Sequence, residues 1–138
     1  IEPCLPMPQL VVLGGSPVAQ ALGALAPQFH WSEASVLTKE PGHRQRVIVI
    51  ATQGQGDMDA LTQALSQGAD HIAFVGSRRK FATLADRLEA KGLPRDQIDA
   101  VKAPAGLDIG AVTPEEHALS ILAELVSVRR RSVKLHEG

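Results

Sequence analysis

The sequence predicts a single α/β domain in which a parallel sheet carries helices on both faces. Short apolar runs alternate along the chain with segments of helical periodicity, which is the pattern of a parallel sheet. Two of these runs end directly in glycine. The 138 residues match the size of one ordinary domain, and a hydrophobic fraction of 44% is enough for one core.

Three apolar runs are the main predicted strands. Residues 9–15 and 71–76 are continuous apolar runs closed by glycine. Residues 46–52 are β-branched and apolar on both faces, which is typical of the middle strand of a parallel sheet. A shorter strand is predicted near residues 35–38, and Val101 begins a further candidate strand.

Helices are predicted after the strands from their first residues and their apolar spacing. Ser16 and Ser77 are suitable N-cap residues, and a helix is predicted from about Met58 after the middle strand. Thr113 and Glu116 have the spacing of a capping box. They open the strongest predicted helix of the chain.

The predicted domain spans residues 9–131, between an N-terminal extension of residues 1–8 and a C-terminal tail of residues 132–138. The chain starts at Ile1 and not at methionine, so we expect a processed chain, an excised domain or a natural short form. The only cysteine is Cys4, which excludes a disulfide framework and a cysteine metal cluster.

The bulk composition excludes two classes of binding partner. The net charge of -1 argues against a general nucleic-acid binder. No apolar run approaches the ~20 residues of a membrane span. We therefore expect a cytoplasmic protein that contacts neither nucleic acid nor membrane.

Parallel strands bring the loops that follow them to one edge of the sheet, the carboxyl edge, where ligands bind. Four glycine-bearing loops are predicted to meet there. Their backbone N–H groups and charged side chains are expected to hold a cofactor. The candidate cofactor-binding residues are Gly14, Gly15, Ser16, Thr52, Gly54, Gly56, Asp57, Gly76, Ser77, Arg78, Arg79, Lys80, Gly106 and Asp108.

The first of these loops partly matches the dinucleotide fingerprint G-x-G-x-x-G/A. Gly14 and Ala19 match the first and third small positions, but Ser16 occupies the second. The ribose-binding carboxylate of the fingerprint has no clear counterpart, since Glu33 precedes the predicted second strand and Glu40 follows it. Two interpretations of this loop are therefore kept: a tight turn that binds no ligand, and a site for a nucleotide.

Three cations stand at the start of a predicted helix, where the helix dipole disfavours them. Arg78, Arg79 and Lys80 suit a bound anion at this helix N-terminus. The alternative is a solvated turn whose cations pair with nearby carboxylates. Asp57 is either a helix N-cap or a ligand contact, and Asp108 either ties down its own loop or contacts a ligand.

The sequence contains no recognisable catalytic machinery. No serine and no cysteine has an identifiable base partner, and the five histidines lack metal-ligand spacing. We predict no catalytic residue and no metal site. The residues alone indicate a protein that binds a phosphorylated, planar small molecule.

Three segments resemble the C-terminal domain of the xanthine dehydrogenase accessory factors, the XdhC/CoxI family. They are VIVIATQGQGD (47–57), AFVGSRRKFATLADRLEAKGLP (73–94) and APAGLDIGAVTPEEHALSILAELVSVRR (103–130). The combination of GSRRK with PAGLDIGAVTPEE is specific to this family. The resemblance covers roughly Thr52 to Arg131.

The resemblance implies a Rossmann-like fold and a cofactor chaperone. Such a protein binds molybdenum cofactor, that is molybdopterin in its mono- or dinucleotide form, and delivers it to an apo molybdenum hydroxylase such as xanthine or carbon monoxide dehydrogenase. A cysteine desulfurase is a further candidate partner. The alternatives are a protein that binds NAD(P) or a flavin dinucleotide, and an interaction module with no small ligand.

The last helix has more apolar residues than one narrow stripe requires. They are Ala118, Ile121, Leu122, Leu125, Val126 and Val128. This excess predicts a homodimer in which part of the helix faces a second subunit. The alternative is a helix that packs wholly within its own core.

Overall fold

Strands and helices alternate along the chain. The computed structural model describes residues 8–29, 31–34, 46–52, 56–67 and 69–137, and of residues 32–34 and 131–137 it describes the backbone only. The strands are β1 (Gln9–Leu13), β2 (Ser32–Ala34), β3 (Arg46–Ile50) and β4 (His71–Phe74). The helices are α1 (Pro17–Leu25), α2 (Asp57–Gln67), α3 (Arg78–Ala90), α4 (Arg95–Asp99) and α5 (Pro114–Glu137), and a short 3₁₀ turn of Ala26–Phe29 follows α1.

The sheet has the strand order β2-β1-β3-β4, and every neighbouring pair is parallel. In this register, Ile48 of β3 pairs with Val11 on one side and Ile72 on the other. Beyond β4, an isolated parallel bridge joins Ala73 to Lys102, next to the candidate strand predicted at Val101. The predicted α/β fold, with a Rossmann-like parallel sheet, is confirmed.

Alternate residues of β3 belong to the two cores on opposite faces of the sheet. Val47 and Val49 pack in the core formed with α1 and α5. Ile48 and Ile50 pack in the core formed with α2, α3 and α4. All four side chains are fully buried. A strand that is covered on both faces accounts for its continuous apolar sequence.

The predicted helix caps are present. The Ser16 and Ser77 hydroxyls each accept a hydrogen bond from the backbone N–H three residues later. The Thr113 hydroxyl accepts from the Glu116 N–H at 3.1 Å, and the Thr113 N–H donates to the Glu116 carboxylate at 3.1 Å. Hydrogen bonds from the Thr113 and Val112 N–H groups hold the pKa of Glu116 below its ordinary value.

One element boundary differs from the sequence prediction, and one predicted strand is not tested. Helix α2 begins at Asp57, one residue before the predicted Met58. Strand β2 occupies Ser32–Ala34, whereas the predicted strand of residues 35–38 lies outside the described residues. Short strands carry few residues from which a pattern can be recognised, so their bounds are the least determined by sequence.

Helix α5 continues through Glu137, six residues beyond the predicted end of the domain at residue 131. No glycine or proline occurs between residues 115 and 137 to stop it. The division into residues 1–8, 9–131 and 132–138 stays a prediction. Among the described helices, α5 included, none has the length and apolar character needed to cross a membrane.

Most of the apolar excess of α5 is used within the chain itself. The buried members are Ala118, Ile121, Leu122 and Leu125. They pack with α1 and the sheet, and Val126 and Val128 are partly covered. Four of the six side chains thus fill the chain's own core, as in the alternative of a helix packed within its own core, and the homodimer stays a prediction.

We predict that Ile48→Asp abolishes cooperative folding, because it places a charge without a partner in the middle strand. Domains have only about 5–15 kcal/mol of unfolding free energy, and truncating a core isoleucine to alanine already costs about 2–5 kcal/mol. Circular dichroism during urea denaturation measures the effect. The control is Ala82→Asp on the exposed side of α3, which should cost less than about 1 kcal/mol. A cooperative transition in the Ile48→Asp protein would contradict the central position of β3.

Candidate functional site

The loops after β1 and β3 touch each other at the carboxyl edge of the sheet. Strand β2 lies on one side of β1 and strand β3 on the other, so the direction in which the chain adds strands to the sheet reverses at β1. Open α/β sheets bind ligands at such a point of reversal. Gly14 has a φ of 117°, and a Cβ at this position would stand 2.2 Å from the Ala51 carbonyl oxygen. The fold itself therefore requires glycine at position 14.

Gly15 and Ser16 complete the first loop. Gly15 is exposed, and its carbonyl oxygen accepts a hydrogen bond from Gln20 Nε2 at 3.2 Å. Ser16 is buried, and its hydroxyl oxygen accepts from the Ala19 N–H at 3.2 Å. The first loop is thus a tight, capped turn from strand to helix.

A chain of polar contacts links the loops after β3 and β4. The Thr52 hydroxyl donates to Oδ1 of Asp57, and Lys80 Nζ lies 3.4 Å from Oδ2 of the same carboxylate. The Asp57 side chain is buried, whereas Lys80 is 45% exposed. Asp57 is the first residue of α2 and not the residue before it. The Asp57 carboxylate therefore contacts both the Thr52 hydroxyl and the Lys80 ammonium group.

An open cleft of about 440 Å³ lies between α2 and α3 beside these contacts. Its volume is in the range of small-molecule sites. Three of the predicted cofactor-binding residues, Gly56, Asp57 and Lys80, come together in its lining. The complete lining is Gly56, Asp57, Met58, Asp59, Lys80, Thr83, Leu84 and Arg87.

The cleft has an acidic wall and a basic wall. Asp57 and Asp59 come from the first turn of α2. Lys80 and Arg87 lie on one face of α3, because seven residues are close to two helical turns. Thr83 lies between them on the same helix. Such a cleft suits a polar ligand with hydrogen-bond donors at one end and an anionic group at the other.

The rest of the predicted anion site lies at the exposed start of α3. Ser77 caps this helix. At Gly76, directly before Ser77, a Cβ would stand 2.4 Å from the ring of Phe74 in β4. Arg78 and Arg79 are exposed, and neither has an ion-pair partner within the described ranges. The alternative of cations paired with nearby carboxylates therefore describes Lys80 and not the two arginines.

Gly106 and Asp108 lie apart from the cleft, on a loop that packs against α5. Gly106 has a φ of 98°, and a Cβ there would stand 2.5 Å from Ser120 Oγ. Asp108 is exposed and does not line the cleft. Gly54, also predicted as a cofactor-binding residue, lies outside the described residues.

Glu124 is a buried carboxylate that the sequence reasoning missed. Its Oε1 lies 2.6 Å from Lys102 Nζ and accepts a hydrogen bond from the Gly106 N–H at 3.2 Å. Its Oε2 lies 3.2 Å from His71 Nε2. Burial alone would raise the pKa of Glu124, but the hydrogen bonds to His71 and Lys102 outweigh it and hold the pKa below its ordinary value.

The sequence contains a pattern that indicates the buried charge of the Glu124, Lys102 and His71 cluster. Glu124 falls in the apolar stripe of α5, three residues after Ile121 and one before Leu125. A charged residue in such a stripe requires a buried partner. Its partner Lys102 comes from a distant part of the chain, so sequence spacing alone does not identify the pair.

The cleft is equipped to hold a polar ligand. It offers two carboxylates, one hydroxyl and two cations. Among the residues that the structure describes, no group of three or more His, Cys, Asp or Glu side chains could hold a metal ion.

Fold and cleft together define a Rossmann-like α/β protein with a polar cleft between α2 and α3 as its candidate site. The family model of the XdhC Rossmann domain matches residues 10–125, and the chain belongs to this family. The family predicted from the motifs is therefore confirmed.

The known proteins to which this chain is similar include one sequence and one solved structure. The uncharacterized protein YqeB of Escherichia coli (strain K12) is 36% identical over 85 residues, which cover 62% of this chain and 16% of YqeB. The crystal structure of a xanthine dehydrogenase from Bacillus halodurans aligns with a TM-score of 0.70 at 21% identity, over 91% of this chain and 44% of that one. That likeness shows the fold alone. The chain spans less than half the length of either protein.

Replacing Glu124 by Gln should destabilise the protein, and by less in acid. At neutral pH we expect a loss of about 1.5–3 kcal/mol in unfolding free energy, because Lys102 and His71 lose a charged partner. Since the folded pKa of Glu124 is lowered, its contribution is complete above the ordinary value of 4.5 and is lost as the pH falls through the folded value. Urea denaturation at neutral and acidic pH measures both differences.

The matched control is Glu115→Gln in the exposed first turn of the same helix. It should change the unfolding free energy by no more than about 0.5 kcal/mol. A difference between wild type and Glu124→Gln that stays constant from neutral to acidic pH would show that the charge of Glu124 does not stabilise the fold.

Proposed function

We propose that this chain is a non-enzymatic accessory protein of molybdenum enzymes. It binds molybdenum cofactor and helps to insert it into an apo molybdenum hydroxylase, such as xanthine or carbon monoxide dehydrogenase. Membership of the XdhC family supports this role. The protein of the same fold from Bacillus halodurans is itself named a xanthine dehydrogenase. A cysteine desulfurase is the second partner in this proposal.

The observation that carries the proposal is the cleft with walls of opposite charge. Molybdopterin has a planar pterin, whose amino and ring N–H groups are donors, and a terminal phosphate. The carboxylate of Asp59 suits the pterin donors, and the guanidinium of Arg87 suits the phosphate. Asp57 and Lys80, which lie 3.4 Å apart, stand between these two groups as an ion pair that a ligand would have to share. The donors and the anionic group of the cofactor, in its mono- or dinucleotide form, are of the kinds that these cleft residues can bind.

The two arginines at the start of α3 give independent support for an anionic group. Arg78 and Arg79 oppose the dipole of α3, at a typical cost of roughly 0.3–1 kcal/mol each. No carboxylate in the described ranges offsets this cost, since Lys80 takes Asp57. An anionic ligand group bound at the start of α3 offsets this cost, and it accounts for the two consecutive arginines at this position.

A nicotinamide or flavin dinucleotide is the alternative ligand. In that class the second glycine of the fingerprint lets the backbone approach the pyrophosphate. Here the buried Ser16 stands at that position, with its hydroxyl used to cap α1. The first loop is thus poorly suited to a dinucleotide. The α2–α3 cleft is better suited to a pterin with a phosphate. The second alternative is a protein that binds no small molecule.

We predict that changing both Arg78 and Arg79 to alanine weakens binding of the molybdenum cofactor by roughly tenfold or more, because charge-assisted hydrogen bonds are worth about 1.5–3 kcal/mol each. Thermal melting should be unchanged or slightly raised, since two cations leave the helix N-terminus. An anaerobic titration with isolated molybdenum cofactor, with a melting curve of the same sample, measures both quantities.

The control variant is Lys91→Ala at the exposed C-terminal end of α3. It removes a cation from the same helix and should leave cofactor affinity unchanged. Parallel titrations with NAD and NADP test the alternative ligand. Unchanged cofactor affinity in the double variant would place the phosphate elsewhere, and binding of NAD without cofactor binding would refute the proposal.

A further inference from the structure

Four charged side chains line the cleft between α2 and α3, and two of them contact each other. Lys80 Nζ lies 3.4 Å from Oδ2 of Asp57. Within the described ranges, neither Asp59 nor Arg87 has an ion-pair partner, and both are exposed. Asp59 and Arg87 are therefore available to a ligand, whereas Lys80 is already shared with a carboxylate of the protein itself.

The contact between Asp57 and Lys80 is long for an ion pair. Its 3.4 Å exceeds the roughly 2.7–2.9 Å of a charge-assisted hydrogen bond. The pair of Lys102 and Glu124 has nearly the same exposures, 46% and 5% against 45% and 7%, yet its two atoms lie 2.6 Å apart. Because the two pairs are equally buried, the difference lies in their geometry. The Lys80 ammonium group is thus held less closely and can turn toward another anion.

Asp57 keeps favourable contacts when Lys80 turns away. Its Oδ1 accepts a hydrogen bond from the Thr52 hydroxyl, and it opens α2, where the helix dipole favours a negative charge. Lys80 lies in the first turn of α3, where the dipole disfavours a cation. The ammonium group therefore depends on a nearby anion more than the carboxylate depends on the ammonium group.

We propose that Asp57 competes with a bound anionic group for Lys80 and thereby lowers the anion affinity of the cleft. An anion that reaches Lys80 has to take the ammonium group from Asp57 or share it, which costs part of the binding free energy. Asp57 thus acts against the ligand from inside the site. This role differs from both roles expected from the sequence, a helix N-cap and a ligand contact.

The inference deepens the proposed function and rests on it for the identity of the ligand, because a protein that delivers a cofactor must also release it. A competitor inside the site speeds dissociation, and most affinity differences between related complexes lie in the dissociation rate. The competition itself requires only an anion. Orthophosphate is therefore the first probe, and the molybdenum cofactor is the second.

Orthophosphate titrations of the ¹⁵N-labelled chain, followed by amide chemical shifts, test the competition. Asp57→Asn keeps an oxygen for the Thr52 hydroxyl but removes the charge, so it should lower the dissociation constant for phosphate by roughly tenfold. The matched comparison is Asp59→Asn, which removes the same charge from the same turn of α2. Because Asp59 is exposed and its charge is screened, this change should lower the constant by less than roughly twofold. Equal gains in both variants would overturn the inference.

A double-mutant cycle shows whether the effect of Asp57 passes through Lys80. Lys80→Met keeps a long apolar side chain and removes the ammonium group, so phosphate should bind roughly tenfold more weakly. Adding Asp57→Asn to Lys80→Met should then bring no gain in affinity. A gain as large as in the single variant would contradict the competition. Melting curves show that each variant folds.

A measurement on the wild-type chain does not depend on the folding of any variant. In a ¹³C-labelled sample, the carboxyl resonance of Asp57 and the Cε resonance of Lys80 should shift together as orthophosphate is added. Their shifts should follow one binding curve, because one event breaks the contact between them. Phosphate binding that moves neither resonance would overturn the inference, and so would the absence of any phosphate binding to the wild type.

An anaerobic titration with isolated molybdenum cofactor separates this inference from the proposed function. Asp57→Asn should bind the cofactor more tightly than the wild type and release it more slowly. A wild type that binds no cofactor, with the phosphate results as expected, would refute the proposed function and support the competition. Cofactor binding by the wild type, with equal phosphate affinities in the wild type and Asp57→Asn, would support the proposed function and overturn the competition.

Discussion

Strand β3 lies between two parallel neighbours and is covered on both faces, and the positions of the other elements depend on it. Residues 47–50 are fully buried, with alternate side chains in the two cores. Parallel strands cannot be joined by a tight hairpin, so each connection crosses over, here through a helix between β1 and β2 and another between β3 and β4. Helices on both faces and loops gathered at one edge follow from this single constraint.

The described parts of the loops at that shared edge point to different neighbours. Gly14 is pressed against the Ala51 carbonyl, which closes the space between the first and second loops. The loop with Gly106 is turned toward α5 by Glu124. The space between α2 and α3 is open, and it is bordered by Asp57 and Lys80. The candidate site therefore lies between two helices and not where the glycines are most numerous.

The elements of the fold could largely be predicted from the sequence because their causes are local. The apolar run of β3 and the Ser16, Ser77 and Thr113 caps depend on neighbouring residues, and each is present. Strand β2 at Ser32–Ala34 was not predicted because three residues carry little pattern. The strand predicted near residues 35–38 stays a prediction, since it lies outside the described residues. The end of α5 was placed too early because the arginine run at residues 129–131 resembles a helix C-terminus, yet no residue there breaks the helix.

The candidate site was predictable only in part, because its contacts join distant segments. Asp57 and Lys80 were both recognised as candidates, but their pairing depends on how α2 and α3 pack. The cluster of Glu124, Lys102 and His71 joins three separate elements, and none of its members stands in a recognisable motif. Side-chain partners of this kind are decided by tertiary packing, which sequence periodicity does not contain.

The central claim is that the α2–α3 cleft is the ligand site of this XdhC-family domain. Amide chemical shifts of the ¹⁵N-labelled chain, recorded anaerobically with and without isolated molybdenum cofactor, test it most directly. The account predicts shifts in residues 56–59 and 78–80, while the amide of Glu124 stays unchanged. Shifts confined to residues 14–16, or no shifts at a saturating cofactor concentration, would contradict it.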